Sequence, residues 1–425
     1  MSSSSGLDPI DPRQFGTAQA QHLLQRAGFG GTPQQVAQLV QMGLDQAVDH
    51  LVNFRDVPED HLPPPQVDPD VIRPLNEEER QAYRIARTRQ DTQAIDKFRR
   101  MFQERRRQDY RMYQQLGPWW IDRMIRTPRP LQEKLVLLWH GHFATRYRNV
   151  RDAYLMYQQN AFFREHCDNF ARLASGIVRD PAMLRFLDND RNINRRPNEN
   201  LARELMELFT LGEGRYSERD IKEAARALTG YHFQDNDFAF HPRLHDHGEK
   251  TILGQRSQFD GDELVRLLLR QPACLGFVAY KLYRHFVADV EGGPEGLDAA
   301  QRDVVKRMAF LLRRHEYRLG PVLRTLFKSR HFYDPSVMGR QIKSPVQLLV
   351  GSVRMLGTPT RDMQTLSLTL RMMGQTLFDP PSVAGWDGGR AWINTATLLV
   401  RQNVCVYLIT GKHPIRPQSE SLLAD

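Results

Sequence analysis

The stretch from Leu187 to Gly212 constrains the fold more than any other part of this chain. From Asn200 to Phe209, the apolar residues Leu201, Leu205 and Leu208 fall on one helical face, and Asn200, Glu204 and Glu207 share another. A helix with one apolar face has to be covered by other elements, so a body of packed helices is the expectation. Two carboxylates three residues apart repel each other, and a helix that keeps them needs partners for them.

The loop before this helix carries oxygen-bearing side chains at alternate positions: Asp188, Asp190, Asn192 and Asn194. Counted from Asp188, Glu199 takes the twelfth place, which is the ligand spacing of a helix–loop–helix calcium site. Against that reading, Ile193 stands where such a loop needs glycine. Arg191, Arg195 and Arg196 oppose a dication, and Pro197 is unusual there. The competing reading is structural: Asp188 ends one helix, Asn198 N-caps the next, and Glu199 favours its positive end. The capped polar loop is the expectation and the calcium loop a weak candidate.

The rest of the chain reads mostly as helix. Ala18 to Ala27 is a helix stopped by Gly28-Phe29-Gly30-Gly31, and Thr32-Pro33 opens a second one running to Met42. Helices are also expected over Glu77 to Met112, Trp119 to Arg126, Leu131 to Trp139 and Tyr154 to Val178. Others follow Asp180-Pro181 and Ser217-Glu218-Arg219-Asp220, a capping box with Asp as its last member. Residues 231–254 are the least helical, and their alternation predicts a small β-hairpin. Helices resume at Gly261, Pro272, Leu297, Leu319 and Val346. The expected organisation is a disordered leader over 1–16 and a single helical domain over 17–425. Within that domain, 17–56 form a helical hairpin, 57–76 are linker-like and 77–425 make the main body.

The net charge of +9 over 425 residues favours anionic partners. Much of it sits in the helix after Glu77, where ten basic residues from Arg84 to Arg111 surround a thin stripe of Ile95, Phe98 and Phe102. No nucleic-acid motif accompanies them, so we expect a solvated face paired with Asp96, Glu104 and Asp109, and nucleic acid is disfavoured as a partner. No apolar run has the length of a bilayer span. The first residues lack the charged and apolar regions of a signal peptide, and Cys167, Cys274 and Cys405 form no metal or redox spacing. The default expectation is therefore a cytoplasmic protein, with export lacking a recognisable signal as the alternative.

Ionisable residues concentrate in a few stretches. His140 and His142, Glu204 and Glu207, and His245-Asp246 together supply the donors of a divalent metal site, or of an acid–base pair. The two histidines can share a ligand only if their helix ends at Gly141, because residues two apart on a helix face different sides. No HExxH, Glu-x-x-His or Gly-x-Ser-x-Gly pattern is present. The expectation from these residues is a metal-assisted hydrolase acting on an anionic substrate. The alternative is a binding or assembly protein that recruits an acidic partner. Trp386 and Trp392, in a loop of Gly and Pro, are expected to anchor that loop on the helical body.

Taken together, His22-Leu23-Leu24 to Gly30-Gly31, Trp139 to Thr145, Pro197 to Gly212, His245 to Gly254, Ile342-Lys343-Ser344-Pro345 and Gly385-Trp386 resemble the bacterial domain-of-unknown-function 1800 family. The resemblance runs in order through nearly the whole chain. It implies no established activity. It implies members that are often exported, and a companion protein similar to alkaline phosphatases and sulfatases. This chain departs from the family pattern in having Tyr231 where a tryptophan is usual.

Overall fold

Helix starts follow the capping residues closely. Thr32, Asn76, Asp91, Asp152, Asn169, Asp180, Ser217 and Asp260 each accept a backbone N–H in the first turn of the helix that follows. The computed structural model describes residues 6–59, 62–357 and 362–411. Among these residues are eighteen α-helices and two small two-stranded antiparallel sheets. The expected hairpin is thus two hairpins. Tyr231–Gln234 pairs with Asp237–Phe240, and Lys250–Ile252 pairs with Gln255–Ser257.

The helix at the centre is Pro130–His142, not the one opened by Asn200. Leu131, Gln132, Glu133, Lys134, Leu135, Val136, Leu137, Trp139, His140 and His142 are all buried, so it is covered on every side. Its polar core residue, Glu133, has no exposure. It accepts Trp120 Nε1–H at 2.7 Å, Arg123 Nε–H at 2.8 Å and Arg164 Nε–H at 2.6 Å. These bonds tie the helix to its two neighbours, Thr92–Arg126 and Ala153–His166.

Several expected elements differ in extent. The helix from Glu77 breaks at Gln90, whose φ of 54° is left-handed, and restarts as Thr92–Arg126. Its arginines do pair with Asp96 and Glu104, but Asp109 turns inward and accepts the Tyr147 hydroxyl and the Ala153 N–H instead. The helix from Thr32 continues past Met42 to Val52 across a kink at Gly43, which has φ 73°. The span Tyr154 to Val178 is two helices, Ala153–His166 and Phe170–Ile177, because Asn169 caps a new start. Two helices not expected from the sequence, Met363–Met372 and Thr395–Thr410, start at the caps Asp362 and Asn394 and close the chain's described part.

The leader is corrected from residue 6 onward, while 1–5 lie outside the described residues. Leu7, Ile10 and Phe15 are buried, and Ile10 N–H donates to Lys328 O at 2.9 Å. Apolar side chains spaced through a polar segment were enough to dock it. In the linker-like stretch, Leu62 and Val71 are also buried, and Trp119 Nε1–H donates to Pro63 O. No helix among the described residues is long and apolar enough to cross a membrane.

Candidate functional site

The helix Pro130–His142 continues through Gly141, which sends its two histidines apart. His140 lies among Trp120, Phe378 and Trp386, and its Nε2 accepts the Phe378 N–H at 3.0 Å. Its lone pair is consumed by structure, and burial pulls its pKa down to about 3. His142 faces Phe170, Phe209 and Phe277. Its Nε2 bonds to the Phe209 carbonyl at 3.0 Å, which makes Nε2 the protonated nitrogen. Nδ1 then carries a lone pair and has no partner. Burial, then the nearby Lys281 charge, hold this ring neutral with a pKa of about 3.

His142 opens onto a cleft of about 530 Å³ between its own helix, the helix Pro272–Phe286 and the loop around Trp386. Fourteen buried side-chain nitrogen and oxygen atoms among the described residues lack a hydrogen-bond partner, and five of them belong to residues lining this cleft: His142 Nδ1, His285 Nε2, Asp289 Oδ2, Gln341 Oε1 and Trp386 Nε1. Buried polar groups are nearly always paired, so such a concentration in one concave place marks a site built for something else to complete. Lys281 lies on the same wall, its Nζ 5.0 Å from the centre of the Phe277 ring, and no carboxylate among the described residues pairs with it. Burial, then the Arg284 charge, draw its pKa down to about 8. Arg284, one turn on, donates to the Asp387 carbonyl.

Close backbone contact seats the Trp386 loop. Gly385 has φ 81°, and a Cβ there would stand 2.0 Å from the Gly141 carbonyl oxygen. The Trp386 ring lies over Gly141, and Gly388 and Gly389 let the chain pass Arg284 and Asp289. Trp392 is buried as expected of an anchor, whereas Trp386 is half-buried and lines the cleft.

A family model described as "Protein of unknown function (DUF1800)" matches residues 22–424. The chain belongs to the DUF1800 family. No curated protein and no solved structure matches it. In this DUF1800 protein, the cleft is where several of the stretches that carried the resemblance meet. Gly141 and His142, Ile342 and Ser344, and Trp386 all line it, and Phe209 from the helix that Asn200 opens holds His142.

The other expected site residues lie elsewhere in the DUF1800 fold. Glu204 is half-buried with its pKa raised, by burial first and by Glu207 second. Glu207 accepts the Tyr216 hydroxyl at 2.5 Å. His245 Nδ1 bonds to the Thr229 carbonyl at 2.8 Å, and Asp246 pairs with Arg226 and accepts the Gly248 N–H. Both tie the segment ahead of the strand Lys250–Ile252 to the C-terminal end of the helix Glu218–Ala227 and the turn after it, and neither lines the cleft. No group of three or more His, Cys, Asp or Glu side chains among the described residues is placed to hold one metal ion.

The side chains of the calcium-loop candidate make other bonds. Asn192 is buried and donates to Asn189 Oδ1 and the Ala225 carbonyl, while its own oxygen accepts the Asn198 N–H. Asn194 donates to the carbonyls of Arg243 and His245. Asp188 faces Arg191, and Glu199 pairs with Arg203. Burial raises the pKa of Asp190. Asn198 accepts the Asn200 N–H at 2.9 Å in a turn ahead of the helix, whose N-cap position is taken by Glu199 and not by Asn198. The helix itself changes after Glu204 into a π-helical turn, Leu205–Thr210, which presents the Phe209 carbonyl that His142 uses. Lys281, Arg284, Asp289 and Gln341 were not singled out from the sequence. Each sits within an ordinary helical or loop stretch, and only the unpaired Lys281 beside Phe277 at helical spacing was there to be read.

Proposed function

We propose that this DUF1800 protein binds an anionic ligand in the cleft, either a small molecule or the acidic end of a larger partner. Lys281 and Arg284 supply the countercharge, and the Trp386 indole N–H supplies a neutral donor. The observation that carries the reading is Lys281, an ammonium drawn into an aromatic wall with no carboxylate partner among the described residues. A half-buried lysine in that state gains most from an incoming carboxylate, phosphate or sulfate group. The charge balance of the whole chain points the same way.

The test is calorimetric titration of the full chain with a panel of small carboxylates, phosphate monoesters and sulfate esters, repeated on Lys281→Met. Losing one charge-assisted contact costs about 1.5–3 kcal/mol, roughly ten- to a hundredfold in affinity. Equal affinity in the variant for every acid that binds, or no binding by any of them, would overturn the reading. Binding to the charged amine should weaken as pH rises above about 8, because the free protein then loses the ammonium. At pH 8 it should take up protons, which titration in buffers of different ionisation enthalpy measures.

A second reading, hydrolysis of a bound anionic ester, rests on His142 Nδ1, a lone pair facing away from the carbonyl that fixes its ring. It ranks below binding because a pKa of about 3 is far under the near-neutral value a general base needs. The metal-assisted form of hydrolysis has no converging donor set to support it, since Glu204, Glu207 and His245 serve other contacts. Turnover of activated esters that disappears in His142→Gln would promote the catalytic reading over simple binding.

A further inference from the structure

Behind the cleft lies a second, recessed pocket of about 80 Å³, lined by His22, Gln25, Arg26, Phe29, Gln341 and Lys343 among others. Gln341 lines both cavities, but the basic residues of the small pocket are its own. Arg26 is 8% exposed, with Nε and one terminal nitrogen donating to the carbonyls of Phe286 and His285. No carboxylate lines the pocket. Lys134, fully inside, holds its Nζ 5.3 Å from the centre of the Phe29 ring, and burial, then the charges of Arg26 and Lys343, draw its pKa well below the ordinary lysine value. The one acid whose charge reaches Arg26 is Asp289. A buried guanidinium beside a half-buried ammonium with so little countercharge is costly, and an anion is what relieves it.

The pocket also offers acceptors. Gln341 Nε2–H donates to the carbonyls of Arg284 and His285, so its Oε1 points the other way and is unpartnered. His22 is 5% exposed. Burial, then Arg26, keep its ring neutral, and it hydrogen-bonds to the Phe332 backbone while Nε2 stays unpartnered with its lone pair. Two cations beside two lone-pair acceptors do not suit a fully deprotonated anion, whose oxygens would face those lone pairs. They suit an oxyanion that still carries hydroxyl protons to donate. A volume of this size holds a few waters or one tetrahedral ion.

We propose that this pocket is a binding site for inorganic phosphate, with Arg26 and Lys343 meeting its charge and His22 Nε2 and Gln341 Oε1 accepting its hydroxyl protons. Sulfate has no such proton near neutral pH. A phosphate monoester loses its own above about pH 6, whereas inorganic phosphate keeps at least one. Chemical selectivity for phosphate follows from the acceptors, because an anion without the proton leaves them buried and unpaired.

The site shares Gln341 with the anion-binding cleft but takes its cations, Arg26 and Lys343, from elsewhere, and the experiment separates the two. Equilibrium dialysis of the full chain at pH 7 compares inorganic phosphate, methyl phosphate and sulfate, on the native protein and on Lys343→Met, His22→Phe and Lys281→Met, with folding checked by thermal melts. Phosphate should bind at least tenfold more tightly than sulfate or methyl phosphate. Lys343→Met should weaken it at least tenfold, and His22→Phe should erase much of the preference over sulfate. Lys281→Met should leave unchanged the part of phosphate binding that excess sulfate does not displace. Phosphate that fails to bind at millimolar concentration would overturn the proposal. So would sulfate that matches it, or phosphate binding lost in Lys281→Met but kept in Lys343→Met. Any of these leaves the reading of the larger cleft standing on its own titrations.

Discussion

Glu133 shows how one buried residue organises the surrounding helices. Burial alone would raise its pKa, but Arg164 and Arg123 outweigh that and hold the carboxyl near 2, below its ordinary 4.5. A folded-state pKa below the unfolded one means the stabilisation is full above about 4.5 and is lost as pH falls toward 2. In Glu133→Gln, Arg164 loses its anion while Arg123 keeps Glu59, a change that costs about 3 kcal/mol. Urea unfolding at pH 7 should show that loss, and the difference between variant and native protein should shrink at pH 3. A difference unchanged with pH would mean that packing, not charge, is what Glu133 supplies. Asn192 makes the same point with neutral groups. Asn192→Ala strands an N–H and a carbonyl inside the protein and should cost about 3 kcal/mol by the scale of unsatisfied buried polar groups.

Two loops behave as elements in their own right. In the segment from Asp188 to Glu199 the polar side chains bond to backbone and arginine partners rather than around a common centre. Melts in chelator and in added calcium should therefore coincide, and a calcium-dependent rise of the midpoint would restore the metal reading. The Trp386 loop depends on Gly385. Gly385→Ala meets both the strain of a left-handed φ, about 1–3 kcal/mol, and collision with the Gly141 carbonyl. We expect the loop to lift, with a changed tryptophan emission and at least tenfold weaker binding of the cleft's anion. Trp392→Ala should lower stability by about 3 kcal/mol or more, the scale for a buried aromatic, and Trp386→Ala by less because that ring is half-buried.

At the scale of the molecule, the amino-terminal segment is part of the body. Its residues bond along the chain at Lys328 to His331, and Leu7, Ile10 and Phe15 are buried there. Each such side chain contributes roughly 1.5–3 kcal/mol when fully buried, before the entropy of ordering the segment is set against it. Removing residues 1–16 should lower the thermal midpoint, and an unchanged midpoint would show the segment to be a passive strap. The helical hairpin formed by Thr17–Ala27 and Pro33–Val52 packs on the helices Pro130–His142 and Leu319–Lys328. The small phosphate pocket opens beside that junction.

Helix starts at Thr32, Asp180 and Ser217, the turn after Gly28 and the mostly helical class were legible in the sequence, because a cap or a turn is decided by residues within about one helical turn of each other. The break at Asn169 carried such a signal too, but the apolar periodicity of Phe162, Phe170 and Ile177 ran across it and hid the cap. The side-chain roles were not legible. His140 and His142 read alike in the chain, yet one spends its lone pair on Phe378 N–H and the other keeps it facing a cleft. His245 and Asp246 looked catalytic until Thr229 and Arg226 were beside them. Lys281 looked ordinary until the surrounding helices left it without a carboxylate. Local geometry follows from neighbours in sequence. The state of a polar group depends on which partners and how much water reach it, and those partners stand from 16 positions away, as Thr229 does from His245, to 238, as Phe378 does from His140.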